Sequence, residues 1–393
     1  MAFTLDYRQS GFSEQELNTA ATPLASYLQY LIQSPEPFMQ LSADAVSSPV
    51  QEVILIGIGG SSLGAAAVAQ ALGVNQRLFV VDVLDTQCFQ DLRQHMETIH
   101  SQERTVKYII ASKSGSTLEI VANFSLFQSI AKQFDPAWKD RTVIITEQDS
   151  PLWKYADQEK ISHAAVPKEV AGRFSIFTPM GLLPLASLGI DVAAFIRGAK
   201  NILSACLNND LKSNPAAWSA AAAYLNVSKG RAIHTFFEFD KRLEGLGYFW
   251  RQLIAESLAK DHKGITPIVC TAADLHSMLQ RYMDGPSDTY TIFAHAASDS
   301  GVSISSGLME ALAGKTIGEL STAIFDIVIG AFVSKQLPHG RIQFSAIDAE
   351  SVGAFMMFLM MQTIFIAKLM GVNPFDQPGV EGYKQEINKK FGL

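Results

Sequence analysis

The sequence is poor in cysteine. Its three, Cys88, Cys206 and Cys270, are an odd number without C-x-x-C spacing. This excludes a disulfide framework and a zinc ribbon and points to a reducing compartment. Charge is also scarce: Asp, Glu, Lys and Arg make up 18% of 393 residues, and 31 basic residues against 38 acidic ones leave a formal net charge of −7. A protein that binds nucleic acid by neutralising phosphates carries a basic excess or a clustered basic face, and neither is visible. With 48% hydrophobic residues, 24 Phe and only 15 Pro, disorder is excluded for the bulk of the chain. The opening MAFTLDYRQSGFSEQE lacks the basic and apolar regions of a signal peptide. One uncharged run of 17 residues, 351–367, is short of the roughly 20 a membrane span needs, contains Gln362 and Thr363, and has no basic flank on its N-terminal side. It is expected as a helix buried on all sides in a soluble core. The expectation is a cytoplasmic protein with neither membrane nor nucleic acid as a partner.

What the sequence does have is a repeated alternation. Short continuous apolar runs, VILIGI (53–58), LFVVDVL (78–84), YIIA (108–111) and RTVIIT (141–146), read as buried strands separated by helical stretches. That alternation predicts a parallel sheet covered on both faces. A second series follows with AIHTFFEF (232–239), TPIVCTA (266–272) and YTIFAHA (290–296), with a long helix from about residue 245 to 260 after the first of them. The expected fold class is α/β: two domains, each a mainly parallel sheet flanked by helices in a three-layer αβα sandwich, plus a C-terminal helical arm. The boundaries read as a helical N-terminal segment 1–45, a first domain 46–190, a second domain 191–370 and the arm 371–393.

Two loops between strand and helix carry hydroxyls. GIGGSSLG (57–64) is not a dinucleotide fingerprint, because Ser62 stands where the third glycine or alanine is needed; nor is it a P-loop, because Ala65 stands where the lysine is needed. Gly60 and Ser61 in this loop, and Ser112, Lys113, Ser114 and Thr117 in SKSGST (112–117), suit a terminal phosphate bound by hydroxyls and backbone N–H groups at helix starts. A single helix cap needs one hydroxyl, and SKSGST has four with a lysine.

Four more segments hold groups suited to acid–base chemistry: Arg173 in KEVAGRFSIFTPMG, Glu256 in LIAESLAKDHKG, His276 in TAADLHSMLQRYMDG, and Gln377 with Lys384 in QPGVEGYKQEI. Together with the two loops, in this order over about residues 50–390, they resemble the phosphoglucose isomerase family. The resemblance implies two sugar-isomerase (SIS) domains and reversible isomerisation of D-glucose 6-phosphate to D-fructose 6-phosphate through a cis-enediolate. It implies Glu256 as the base between C1 and C2, Arg173 beside the enediolate, and His276 and Lys384 for ring opening. The phosphate would be held by Ser61, Ser112, Ser114 and Thr117, with Gly60 and Lys113 near them, and Gln377 would contact the sugar. It also implies a homodimer in which His276 enters the other subunit's site. These roles suit the reaction, which needs one base facing two carbons, a cation for oxyanion charge and an acid/base pair at the ring oxygen. A carboxylate near the end of an apolar helix would be partly desolvated, as suits a base. No cofactor or metal is expected, since the eight His show no H-x-x-x-H pair. Asp261 and His262 read as a polar turn at the helix end. The alternatives are an isomerase that also accepts mannose 6-phosphate, and a non-catalytic sugar-phosphate regulator, which would need the loops but not Glu256, His276 or Lys384.

Overall fold

The computed structural model describes residues 3–41, 47–296, 301–305 and 308–391. The chain opens with β1 (Phe3–Asp6), α1 (Glu14–Ala21) and α2 (Leu24–Gln33). An alternating series follows: β2 (Glu52–Gly57), α3 (Leu63–Ala71), β3 (Leu78–Val81), α4 (Thr86–Ser101), β4 (Val106–Ala111), α5 (Leu118–Phe134), β5 (Thr142–Thr146), α6 (Pro151–Glu159) and β6 (Ser162–Ala165). Helices α7 (Pro179–Ser187), α8 (Val192–Cys206) and α9 (Pro215–Ser228) lead to the second series. It comprises β7 (Ile233–Glu238), α10 (Glu244–Leu258), β8 (Thr266–Thr271), α11 (Leu279–Asp284), β9 (Thr289–Ala296), α12 (Ile317–Ser334), β10 (His339–Phe344) and α13 (Ala349–Met370). Helix α14 (Glu381–Phe391) comes last.

Two compact units result. One combines Ser34–Arg197 with Phe375–Leu393, the other Met1–Gln33 with Gly198–Pro374. The first holds a five-stranded sheet in the order β3-β2-β4-β5-β6, parallel throughout. All six residues of β2 are buried, as a central strand covered on both faces requires. Ile54, Ile56, Tyr108, Ile110 and Ile144 of this sheet pack in one cluster with Leu92 and Met96 of α4 and Phe124 and Phe127 of α5. Each buried aliphatic or aromatic side chain there contributes roughly 1.5–3 kcal/mol.

The second unit holds the order β1-β10-β9-β7-β8, in which only β1 runs antiparallel to its neighbour. This corrects the expectation of an N-terminal segment that is helical throughout. Phe3 is drawn into a strand because its ring packs on Phe344, Phe355 and Phe358. The expected end of that segment, at residue 45, lies outside the described residues. Residues 351–367, the uncharged run, are buried without exception in α13. Asp348 caps that helix with its carboxylate on Ser351 N–H at 2.8 Å, and Gly371 ends it in the left-handed conformation.

One buried acid stands out in this unit. Glu238, the last residue of β7, is 1% exposed, and its Oε2 has no hydrogen-bond partner among the described residues. Burial, reinforced by the charges of Glu244 and Asp240, raises its pKa to about 7. An acid whose folded pKa lies above its unfolded value loses stability as pH rises between the two. Glu238→Gln should therefore match the wild type near pH 4.5 and exceed it by on the order of 2–3 kcal/mol at pH 8. Urea denaturation of both proteins across that range checks this, and a pH-independent difference would refute it.

Candidate active site

In the first unit the chain leaves β2 for β3 on one side, then returns to β4 on the other. The C-terminal ends of β2 and β4 are therefore where consecutive connections part, the place at which open α/β sheets bind ligands. Gly57 and Ala111, the last residues of these strands, are register partners, so the two hydroxyl loops start side by side. The first loop turns through Gly59, at φ +57°, into the short 3₁₀ turn Gly59–Ser61 and then α3. The second turns through Gly115, at φ +66°, where an added Cβ would sit 2.6 Å from Ser150 Oγ.

Ser13, Asp85, Ser150, Thr178, Thr316 and Asp348 each cap a helix with their side chains. Ser62 before α3 and Thr117 before α5 do not. The ordinary capping role is thus not what these hydroxyls perform, and both helix starts point uncapped N–H groups and a positive dipole end toward the crevice. Ser112 is fully buried and accepts the Gly115 N–H at 3.2 Å, which holds the loop in shape. Its hydroxyl meets Thr117 Oγ1 at 3.4 Å, and exposed Ser114 meets the same atom at 3.3 Å. Lys113 turns to Glu147, with Nζ 3.4 Å from the carboxylate and its carbonyl accepting the Glu147 N–H at 3.0 Å.

Arg173 lies in a 3₁₀ helix, Gly172–Phe177, that packs directly on the first loop. A Cβ on Gly60 would fall 2.6 Å from the Arg173 backbone nitrogen and closer still to the Gly172 carbonyl. Ser175 Oγ donates to the Gly172 carbonyl at 2.7 Å and reaches that of Gly60 at 3.4 Å. The Arg173 side chain is 1% exposed, lies over the Phe174 ring and donates to the Asp376 carbonyl at 3.2 Å. Phe174 also stacks on Phe38 and meets Phe375, which seats the arm just before Gln377. This unit therefore brings together the Gly60–Ser61 loop, Arg173 and the Asp376–Gln377 segment. Lys384 stands apart on α14, exposed and paired with Glu381 at 3.0 Å.

In the second unit, α10 buries Leu246, Phe249, Trp250, Leu253 and Ile254 and leaves Glu256 half-buried in its last turn. Gln252, one turn earlier, donates to Glu256 Oε1 at 2.7 Å. The i, i+4 spacing was the available signal for this orienting residue. Beyond the helix, Lys260 and Lys263 close a tight turn whose central residues, Asp261 and His262, are both left-handed at φ +52° and +59°. That turn sends both lysine side chains to carbonyls at the end of α13: Lys263 to Met370 at 3.3 Å, and Lys260 to Asn373. Neither contact was legible from sequence.

His276 ends the 3₁₀ helix Ala272–His276 beyond β8, with its ring exposed. Asp274 anchors the turn by accepting the Thr271 N–H at 2.9 Å, and Ser277 Oγ donates to it at 2.8 Å. Those bonds, the Thr271 N–H foremost, lower the Asp274 pKa. Because α10 runs opposite to the strands, Glu256 lies near the start of β8 and His276 beyond its end. Six residues at about 3.3 Å each put the length of the strand, roughly 20 Å, between them. Among the described residues no group of three or more His, Cys, Asp or Glu is placed to hold a metal ion.

The phosphoglucose isomerase family model matches residues 42–272, a span that includes both hydroxyl loops, Arg173 and Glu256. The glucose-6-phosphate isomerase of Rubrobacter xylanophilus is 32% identical over 99% of this chain and 98% of its own length, which takes in His276, Gln377 and Lys384 as well. This chain belongs to the phosphoglucose isomerase family. Among solved structures, a hypothetical protein from Thermus thermophilus superposes with a TM-score of 0.86 at 27% identity, covering all of both chains. A glucose-6-phosphate isomerase from Chlamydia trachomatis superposes at 0.76 and 19% identity over 96% of this chain and 74% of that one, a likeness of fold. The phosphoglucose isomerase fold thus accounts for both sheets.

Proposed function

We infer that this chain interconverts D-glucose 6-phosphate and D-fructose 6-phosphate, as a cytoplasmic homodimer. The observation that carries the reading is the pair of hydroxyl loops at the β2/β4 parting, each leading into a helix without a side-chain cap, in a member of this family. A phosphate monoester bound there is held by Ser61, Ser114 and Thr117 and by backbone N–H groups, with Gly60 allowing close approach and Ser112 and Lys113 keeping the second loop in shape. Glu256 removes the proton from C2 of the open-chain aldose and returns it to C1. The C2–H electron pair becomes the C1=C2 double bond as the C1=O pair moves onto O1, and the hydroxyl proton on O2 passes to O1. Arg173, a fixed cation, stabilises the enediolate until C1 takes the proton back and C2 becomes the ketone carbon. Lys384 and His276 exchange protons with the ring oxygen and the anomeric hydroxyl during ring opening, and Gln377 hydrogen-bonds the sugar. No atoms are gained or lost overall.

The phosphate does not react, so the loops supply binding that is equal in ground and transition states. Ser114→Ala with Thr117→Ala should raise KM for glucose 6-phosphate by about tenfold or more and change kcat little. A coupled assay reads both constants, and an unchanged KM removes the phosphate from this loop.

His276 is proposed to act in the partner's site, a reading supported by the length of β8 between it and Glu256. Glu256→Gln and His276→Ala are each inactive on this view. When they are mixed, unfolded and refolded, half the dimers are heterodimers, and each of these has one site with both groups intact, so about a quarter of all sites recover. No recovery, with heterodimers verified by differential tags, assigns His276 to its own chain.

A further inference from the structure

The turn that carries His276 hangs on one threonine. Asp274 accepts the Thr271 N–H at 2.9 Å, and the Thr271 hydroxyl reaches the same carboxylate at 3.4 Å. Thr271 ends β8, and its register partner is Glu238, the last residue of β7. Register partners on neighbouring strands stand about 4.8 Å apart with their side chains on one face. The buried Glu238 carboxyl, whose Oε2 has no hydrogen-bond partner among the described residues, is thus set beside the Thr271 hydroxyl. On its other flank the register partner is Ala294 of β9, which offers neither charge nor donor side chain.

The charged groups around this pair are otherwise engaged. Arg242 holds both oxygens of Asp240, at 3.0 and 2.6 Å. Glu244, at the start of α10, pairs with Lys241 at 2.6 Å and accepts from the Tyr248 hydroxyl at 3.2 Å. The Lys241 charge also acts on Glu238 and Asp274, so both acids draw on one exposed cation. Across the face, α13 sets Phe355 against Phe236 of β7, and its residues 351–367 carry no charge.

We propose that Glu238 positions the His276 turn by competing with Asp274 for the Thr271 hydroxyl. That hydroxyl has a single proton to donate, so it serves one carboxylate at a time. A protonated Glu238 has a donor of its own and leaves Thr271 with Asp274. An ionised Glu238 only accepts, and a buried charge without a donor is costly, so it draws the hydroxyl to itself. Asp274 then keeps the Thr271 N–H and Ser277 Oγ but loses the third bond, and the turn shifts where it carries His276. Burial raises the Glu238 pKa to about 7, whereas the bonds to Asp274 hold that carboxyl below its usual range and charged throughout. The exchange is therefore driven by Glu238 alone and falls near neutral pH. Its effect on turnover, though not the exchange itself, rests on the role given to His276 above.

The test follows the full chain from about pH 6 to pH 8.5, either side of the Glu238 ionisation. In protein isotopically labelled at threonine and serine, the backbone amide resonances of Thr271 and Ser277 should move with one ionisation near neutrality. In Glu238→Gln that movement should be absent. The ratio of kcat/KM for Glu238→Gln to that of the wild type, in which shared ionisations cancel, should rise about threefold or more across the range. In a Thr271→Ser background the rise should persist; in Thr271→Val, which has no hydroxyl, it should vanish. Resonances that titrate alike in wild type and Glu238→Gln overturn the proposal, as does a rise that survives in Thr271→Val. Resonances that follow Glu238 while the kcat/KM ratio stays flat sustain the exchange and instead refute the part given to His276 in ring opening.

Discussion

Glu256→Gln is expected to lower kcat by about 10³-fold or more while leaving sugar-phosphate affinity within a few-fold of the wild type. A general base acts in the transition state, and its removal typically costs 10²–10⁴-fold even where other stabilisation persists. The substitution is close to isosteric, and Gln252, whose amide now donates to Glu256 at 2.7 Å, can still hydrogen-bond the new side chain. Affinity is measured calorimetrically with an alditol 6-phosphate, which has the phosphate but no carbonyl and cannot isomerise. Turnover above about a tenth of the wild-type rate would place the base elsewhere, with Asp261 and His262 the first to test. A variant that loses binding as well as turnover would show that Glu256 holds the sugar rather than moving its proton.

The second large effect is expected at Gly60, for a different reason. Its backbone is not in the left-handed region, so conformational freedom is not what requires glycine. The Gly172–Arg173 backbone occupies the space that a Cβ would need, at 2.6 Å from Arg173 N. Backbone cannot swing aside as a flexible side chain can. Gly60→Ala must therefore push the first loop away from the Arg173 helix, at a cost of about 2–4 kcal/mol in stability. It should also lower kcat/KM by about a hundredfold, because the phosphate loop and the cation are displaced relative to each other. The melting temperature and the kinetics, taken well below that temperature, should change together. Retention of both would mean the two segments can part without consequence.

The two kinds of glycine in these loops show what a sequence discloses about a site and what it withholds. Gly59 and Gly115 sit in tight turns next to hydroxyls, and a strand–loop–helix context is enough to expect them. Gly60 is required by a segment more than a hundred residues later, which no local pattern reveals. The same division holds for the strands. β2, β4, β5, β7 and β9 are inner strands, and they and the edge strand β8 are legible as apolar runs. β1, β6 and β10 escape because they lie near or at sheet edges, are short, or mix polar residues, as HGRIQF does. β3 ends at Val81, not at Leu84, because Asp85 caps α4 and the chain must turn before it. Of the candidate residues, Arg173 and Gln377 were legible as members of an ordered set, but the arm's seating on Phe38 and Phe174 was not. Gln252 and the two lysines beyond Glu256 depend on side-chain directions that become clear only once the turn at Asp261 and His262 is formed.

The pairing of β1 with β10 governs the order in which the protein can be built. Phe3 lies opposite Phe344, so nearly the whole chain must leave the ribosome before the first strand finds its place. At roughly 5–20 residues per second that wait is about 20–70 s. The sheet with the hydroxyl loops closes entirely within residues 52–165 and can be complete long before. The half with the hydroxyl loops is thus available early. The half with Glu256 must hold an unpaired edge strand in reserve, and the ion pair between Asp6 and Arg8 at 2.6 Å places charge at its tip, a feature that discourages wrong edge-to-edge partners in the interval.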